Sequence, residues 1–212
     1  MADQDAGSVT TGKCDLTALK GISADPRFAG NTTVSAADKN RYLAGVVVGK
    51  VNCDMVFGAS DKVKDAVKSE GTSGPCVRGM RKKPCCKYRP SSAKAIEEMA
   101  DEARRRGCGN CMEQAAIAWA YLAELGYEPS RLAYVTAEWD PYRTAIGEIP
   151  HNHAFVVIDR IQASSKDTPF AWGPDALVCD PWKPDPPNVY PATDLPIYWP
   201  GVKNYDIFQP PK

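Results

Sequence analysis

The stretch from Gly107 to Gly126 constrains this chain most. A small-residue turn, Gly-Cys-Gly-Asn, runs into Cys-Met-Glu-Gln-Ala-Ala-Ile-Ala-Trp-Ala-Tyr-Leu-Ala-Glu-Leu-Gly. Apolar residues recur at Met112, Ala115, Ala116, Trp119, Leu122 and Ala123, the spacing of a helix with one buried face. Asn110 is the predicted N-cap, because its side-chain oxygen can accept from an orphan amide of the first turn. Glu113 stands three residues on, where a capping box places a carboxylate, and Gly126 closes the helix. Cys111 then occupies the first helical position. Unpaired amides and the helix dipole there favour a thiolate, the reactive form of cysteine. The same helix start, at Asn110 and Cys111, offers donors to an oxyanion.

The flanking sequence suggests a mixed chain. Residues 1–30 are rich in Gly, Ala, Asp, Ser and Thr and read as an irregular N-terminal arm. Residues 31–90 read as mostly helical. They hold one pattern at Ser35–Ala44, with Ser35 as cap, and another at Ser60–Lys68. Between them, Val46-Val47-Val48 is β-branched and reads as a strand or buried turn. Residues 71–90 are basic, rich in Gly and Pro, and carry Cys76, Cys85 and Cys86, so a loop pinned by disulfides is expected. Its positive run reads first as solvated surface, and a substrate contact around Arg81, Lys82 and Lys83 is the sharper alternative. A helix from Ser92 to about Arg106 comes next, with Glu97 and Glu98 early and three arginines late, an order that suits the helix dipole. Leu132–Ala137, His153–Asp159 and Ala176–Asp180 read as strands, and Glu138–Pro150 as a polar loop. In this reading 91–183 is the core. Residues 184–212, dense in Pro and aromatics, form a tail packed on it within one compact domain, since the prolines forbid a long helix.

Composition narrows the function classes. The 212 residues carry 26 basic and 26 acidic side chains, a balance unlike the basic excess of a general nucleic-acid binder. No apolar run approaches the roughly 20 residues of a membrane span. The first residues show no basic start followed by an apolar stretch, so no Sec-type signal is visible. Eight cysteines are many for a reducing compartment and few for a disulfide scaffold. Their pairing is not readable from spacing.

Three elements carry the chemistry: a cysteine at a helix start (Cys111), a histidine opening a strand (His153) and an aspartate ending the next strand (Asp180). A nucleophile, a general base and a group that orients the base need these residue types. The chain has two histidines, His151 and His153. His153 is favoured because it begins the apolar strand. The alternation of Ala176-Leu-Val-Cys-Asp turns Cys179 away from Asp180, into packing.

Gly109-Asn110-Cys111 opening an Ala-rich helix, His153-Ala154-Phe155-Val156, and Val178-Cys179-Asp180-Pro181-Trp182 together resemble the core of the papain-like and transglutaminase-like thiol enzymes. The His-Ala-aromatic step and the Asp-Pro pair are closest to the transglutaminase-like version. The resemblance covers residues from about 92 to 183. It implies an α+β fold in which a helix-borne Cys packs on an antiparallel sheet. It also implies that Cys111 is nucleophile, His153 general base and acid, and Asp180 its orienter. No cofactor and no metal are implied. One departure stands out: Gln114 lies inside the helix, past Cys111, and does not match the papain-like oxyanion glutamine. Several bacterial toxins and effectors use this core to deamidate glutamine or asparagine side chains of host proteins, or to cut peptides. The resemblance thus implies a secreted or injected protein with a protein substrate, and a cognate inhibitor or immunity protein as a further candidate partner. Deamidation comes first, proteolysis second and transamidation third, since all share the thioester half-reaction.

Other readings of the cysteines compete. Cys108-Gly-Asn-Cys111 is a Cys-x-x-Cys motif, but thioredoxin-like chains place that motif after a strand, and here it stands after an Arg-rich helix. Cys85, Cys86, Cys108 and Cys111 could hold zinc in a non-enzymatic interaction module. Cys108 could also be a redox switch that masks Cys111 in a disulfide until reduced.

Overall fold

A computed structural model describes residues 35–139, 152–183 and 185–211. The expected arm, the chain from 140 to 151 and His151 itself lie outside the described residues. The fold is α+β.

The first helix, α1 (Ala36–Asp54), is capped by Ser35, whose Oγ accepts from Asp38 N–H at 3.0 Å. It runs straight through Val46–Val48, where the sequence suggests a strand or turn. Leu43, Ala44, Val47, Val48 and Val51 are all buried. That helical period outweighs the few tenths of a kcal/mol by which β-branched residues disfavour a helix. Helix α2 (Val63–Lys68) is short and exposed.

Residues 71–90 are not a loop. They form α3 (Ser73–Met80) and α4 (Pro84–Lys87). Pro84 sits at the start of α4, where its missing N–H costs nothing. Val77, Met80 and Cys86 bury themselves in the main core. Helix α5 (Ala93–Arg106) is capped by Ser92 and stopped by Gly107 at φ +68°. Helix α6 (Cys111–Glu124) comes next, and nearly every side chain in it is buried. A helix covered on all sides is an internal one: α6 lies between α1, α5 and the sheet.

The sheet has five strands in the order β4-β3-β2-β1-β5, every pair antiparallel. They are β1 (Leu132–Trp139), β2 (Asn152–Ile158), β3 (Leu177–Cys179), β4 (Val189–Pro191) and β5 (Val202–Phe208). A short helix α7 (Leu195–Tyr198) precedes β5. The C-terminal tail therefore does more than wrap the domain: it adds an edge strand, with Val135 opposite Ile207. The period-2 alternation sends Tyr134, Val156 and Cys179 into the core under the helices, and Val135, Val157 and Val178 into a second core on the other face. Trp172, Tyr190, Leu195 and Tyr205 fill that second core. Among the described residues, no helix is long and apolar enough to cross a membrane.

Candidate active site

The turn Gly107–Asn110 is fixed from both sides. Phe57 N–H donates to the Gly107 carbonyl at 2.8 Å and Gly109 N–H to the Gly58 carbonyl at 3.3 Å. Gly58 and Cys108 form a parallel bridge. Asn110 Oδ1 accepts from Ser60 N–H at 2.8 Å and from Ser60 Oγ at 3.0 Å. Residues 57–60 thus form a strap along the turn. Only glycine fits at 109, since a Cβ there would stand 2.5 Å from the Glu113 Cβ.

The expected capping box is present. In it, Glu113 Oε2 accepts from Asn110 N–H at 2.9 Å. Glu113 is fully buried, and Arg81 holds it through Nε at 3.1 Å and Nη2 at 3.3 Å. Arg81 therefore holds the start of α6 through Glu113, a structural contact that its reading as solvated surface does not include. Gln114 Nε2 donates to the Gly109 carbonyl at 2.9 Å, so this glutamine also holds the turn.

Cys111 begins α6 and is 6% exposed. Helix geometry leaves the first-turn amides without acceptors from the helix backbone. His153 stands near the start of β2, opposite Ala137. Strand β3 pairs with β2 only from Val156 onward, so among the described residues no strand flanks His153 on that side. Asp180, one residue past β3, occupies the gap. Its Oδ2 lies 2.7 Å from His153 Nε2, and both residues are sealed from solvent.

The carboxylate is fixed by further donors. Lys183 N–H reaches Asp180 Oδ1 at 3.1 Å, and Trp199 Nε1 reaches Oδ2 at 3.3 Å and the Tyr190 hydroxyl at 3.1 Å. Two indoles pack against the imidazole, with ring centres 4.3 Å away for Trp199 and 5.1 Å for Trp182.

With Nε2 committed to Asp180, Nδ1 is the ring nitrogen left for Cys111. Nδ1 is buried without a partner of ordinary hydrogen-bond geometry, yet the thiol is near enough to act on the ring's protonation. Burial pulls the His153 pKa down. The Asp180 charge and hydrogen bond, with Cys111 behind them, more than reverse this and raise it to about 9. Thiol and ring are thus close, without a closed hydrogen bond between them.

Asp61 and Lys62 continue the strap and reach Trp182, which packs on the imidazole. Trp182 Nε1 donates to Asp61 Oδ1 at 3.1 Å, and Lys62 Nζ lies 4.8 Å above the Trp182 ring. Burial lowers the Lys62 pKa, while Asp65, Asp180, Asp61 and Cys111 pull it the other way. Lys62 and Arg81 thus bring positive charge toward the sulfur. Nothing in the local sequence around Asp61, Lys62 or Trp199 marks them, because their link to the site is purely tertiary.

The cysteine alternatives fare differently. Cys108 is bonded to Cys76, with the Cα atoms 6.3 Å apart. The turn aims its side chain at α3, away from Cys111, so Cys108 is not the switch expected of it. The same bond takes Cys108 out of the zinc set, and the described residues hold no group of metal-ligating side chains. Cys179 is buried on the helix-covered face of the sheet.

Cys111, His153 and Asp180 are 42 and 27 residues apart along the chain, and the ends of α6, β2 and β3 bring them together. No family model matches the chain, and neither a curated protein nor a solved structure shows significant similarity to it.

Proposed function

We propose that this protein is a cysteine amide hydrolase of the papain-like or transglutaminase-like kind, acting through a thioester on a side-chain carboxamide of a protein. One observation carries the reading: Asp180 takes Nε2 of the buried His153 and leaves Nδ1 for Cys111 at a helix start. In the first half-reaction the sulfur attacks the carboxamide carbon. The oxyanion is met by first-turn amides. Nδ1–H of His153 passes its proton to the leaving nitrogen, ammonia departs, and a thioester remains. In the second half His153 takes a proton from water, hydroxide adds to the thioester, and the collapse releases a carboxylate and the thiol.

Deamidation is favoured over chain cleavage by the enclosure of the sulfur. Cys111 is 6% exposed, and Trp182, tied to Asp61, packs on the His153 ring. The end of a Gln or Asn side chain needs a narrow entry, whereas a mid-chain peptide bond needs an open groove on both sides. By its resemblance, a toxin or effector delivered to another cell is the setting in which such an enzyme would act.

The test is alkylation of the native protein with iodoacetamide at mildly acidic pH, followed by peptide mapping, and ammonia release from glutamine-containing proteins. Fast labelling of Cys111 that His153→Ala abolishes, with ammonia release that Cys111→Ser abolishes, is the expected result. Labelling of Cys111 no faster than that of Cys85, and indifferent to His153→Ala, would sink the reading.

A further inference from the structure

Cys85 and Cys86 are neighbours in α4, and their sulfurs lie 2.9 Å apart. That is inside the van der Waals contact of two sulfur atoms and about 0.9 Å longer than a disulfide bond. Successive side chains on a helix diverge by about 100°, so these two have turned toward each other. Cys86 is fully buried and Cys85 partly exposed. Burial, then the Cys85 sulfur beside it, pushes the Cys86 thiol up, and Glu113 and Glu102 add to this.

The other sulfurs give the pair its meaning. Cys76 and Cys108 are bonded to each other, and Cys53 is also in a disulfide. Cys85, Cys86, Cys111 and Cys179 are the free thiols among the described residues. Cys179 is fully buried, its sulfur 3.8 Å from the Ala44 carbonyl of α1. Joining Cys85 to Cys86 would leave that inert thiol and Cys111.

We propose that Cys85 and Cys86 form a thiol–disulfide modification site, which closes to a vicinal disulfide when the protein meets a disulfide oxidant such as oxidised glutathione. The exposed Cys85, as thiolate, attacks one sulfur of the oxidant. The oxidant's S–S bond breaks and one glutathione thiolate leaves, giving a mixed disulfide at Cys85. Cys86 then gives up its proton and attacks the Cys85 sulfur, and the second glutathione leaves. Two cysteine thiols are oxidised by two electrons, and one glutathione disulfide becomes two thiols.

Adjacent Cα atoms are about 3.8 Å apart, short of the roughly 4.4–6.8 Å that disulfides usually span. The Cys76–Cys108 bond, at 6.3 Å, lies within that range. The vicinal bond is therefore the strained and more easily reduced of the two. Closure removes the partly exposed Cys85 as a partner for Cys111. This keeps the nucleophile a monomeric free thiol where other cysteines are oxidised, a consequence that rests on the catalytic reading, whereas closure itself does not.

Native protein equilibrated in glutathione buffers of rising oxidised fraction, quenched by alkylation and mapped by mass spectrometry, tests this. The peptide holding both residues should lose the mass of two hydrogens and carry neither alkyl group nor glutathione. It should do so only at a more oxidising ratio than Cys76–Cys108 requires. In Cys86→Ser, with the fold checked by circular dichroism, a glutathione adduct should persist on Cys85 because no resolving thiol stands beside it. Full alkylation of both thiols at every ratio, a lasting adduct on wild-type Cys85, or chains cross-linked through it would overturn the proposal. Closure should be the same in Cys111→Ser. Closure with an unreactive Cys111 would count against the catalytic reading alone.

Discussion

His153 Nε2 and Asp180 Oδ2 lie 2.7 Å apart with both side chains cut off from solvent. A cationic ring in such a place depends on its counter-charge. Asp180→Asn keeps the shape and an acceptor but removes that charge. The pKa of His153 should then fall from about 9. Cys111 alkylation should lose its acidic-side reactivity, and turnover should drop by roughly 10²–10⁴-fold, the usual worth of general acid–base help. A pH series of labelling rates for wild type and variant checks this. Superimposable profiles would remove Asp180 from the proposed role.

The same pair makes folding stability depend on pH. His153 has a pKa of about 9 when folded, against 6.5 for a free imidazole. The folded state binds this proton more tightly, so the stabilisation is complete below about 6.5. It declines as pH rises from 6.5 and is gone above 9. Melting temperatures measured across that window should fall with rising pH in wild type, and the fall should be smaller in His153→Gln.

Arg81 and Glu113 give a prediction about position. Glu113 is fully buried, and Arg81 supplies its paired donors. Arg81→Met leaves a buried carboxylate with the Asn110 amide alone among these contacts. A loss of about 1–3 kcal/mol is expected, since the arginine is partly exposed and its charge screened. Urea unfolding measures it. Lys82→Ala, at an exposed position on the same basic stretch, should change stability by less than about 0.5 kcal/mol.

Breaking the Cys76–Cys108 bond should affect stability rather than reactivity. The bond joins residues 32 positions apart, tying α3 to the turn before Cys111. The double variant Cys76→Ser, Cys108→Ser should lose about 2–4 kcal/mol. At a temperature where it stays folded, Cys111 should still be alkylated preferentially. A faster-reacting Cys111 whose oxidation now differs from wild type would revive Cys108 as its switch.

Helices α5 and α6 and strand β2 are legible in the sequence because their signals are local: caps at Ser92 and Asn110, a glycine stop at Gly107, and uninterrupted apolar runs. Cys111, His153 and Asp180 can be singled out because each stands at an element boundary, where side chains converge on a sheet end. The illegible parts depend on distant partners. Val46–Val48 looks like a strand until α6 is there to bury one side of the helix. Residues 71–90 look like a loop until the Cys76–Cys108 bond and the core fix two short helices. The bond from Trp199 to Asp180 spans 19 positions and the reach of Arg81 to Glu113 spans 32. The pairing of β5 with β1 joins residues farther apart still. No local pattern encodes such contacts.

The strap at residues 57–60 has a consequence for kinetics. Ser60 holds Asn110 by two hydrogen bonds, and the Asp61 beside it ties Trp182 over the imidazole. If Cys111 is the proposed nucleophile, a reagent that needs this cover to shift meets an apparent affinity equal to the intrinsic affinity scaled by the open fraction. Small electrophiles and bulky ones should therefore report different reactivities for the same cysteine.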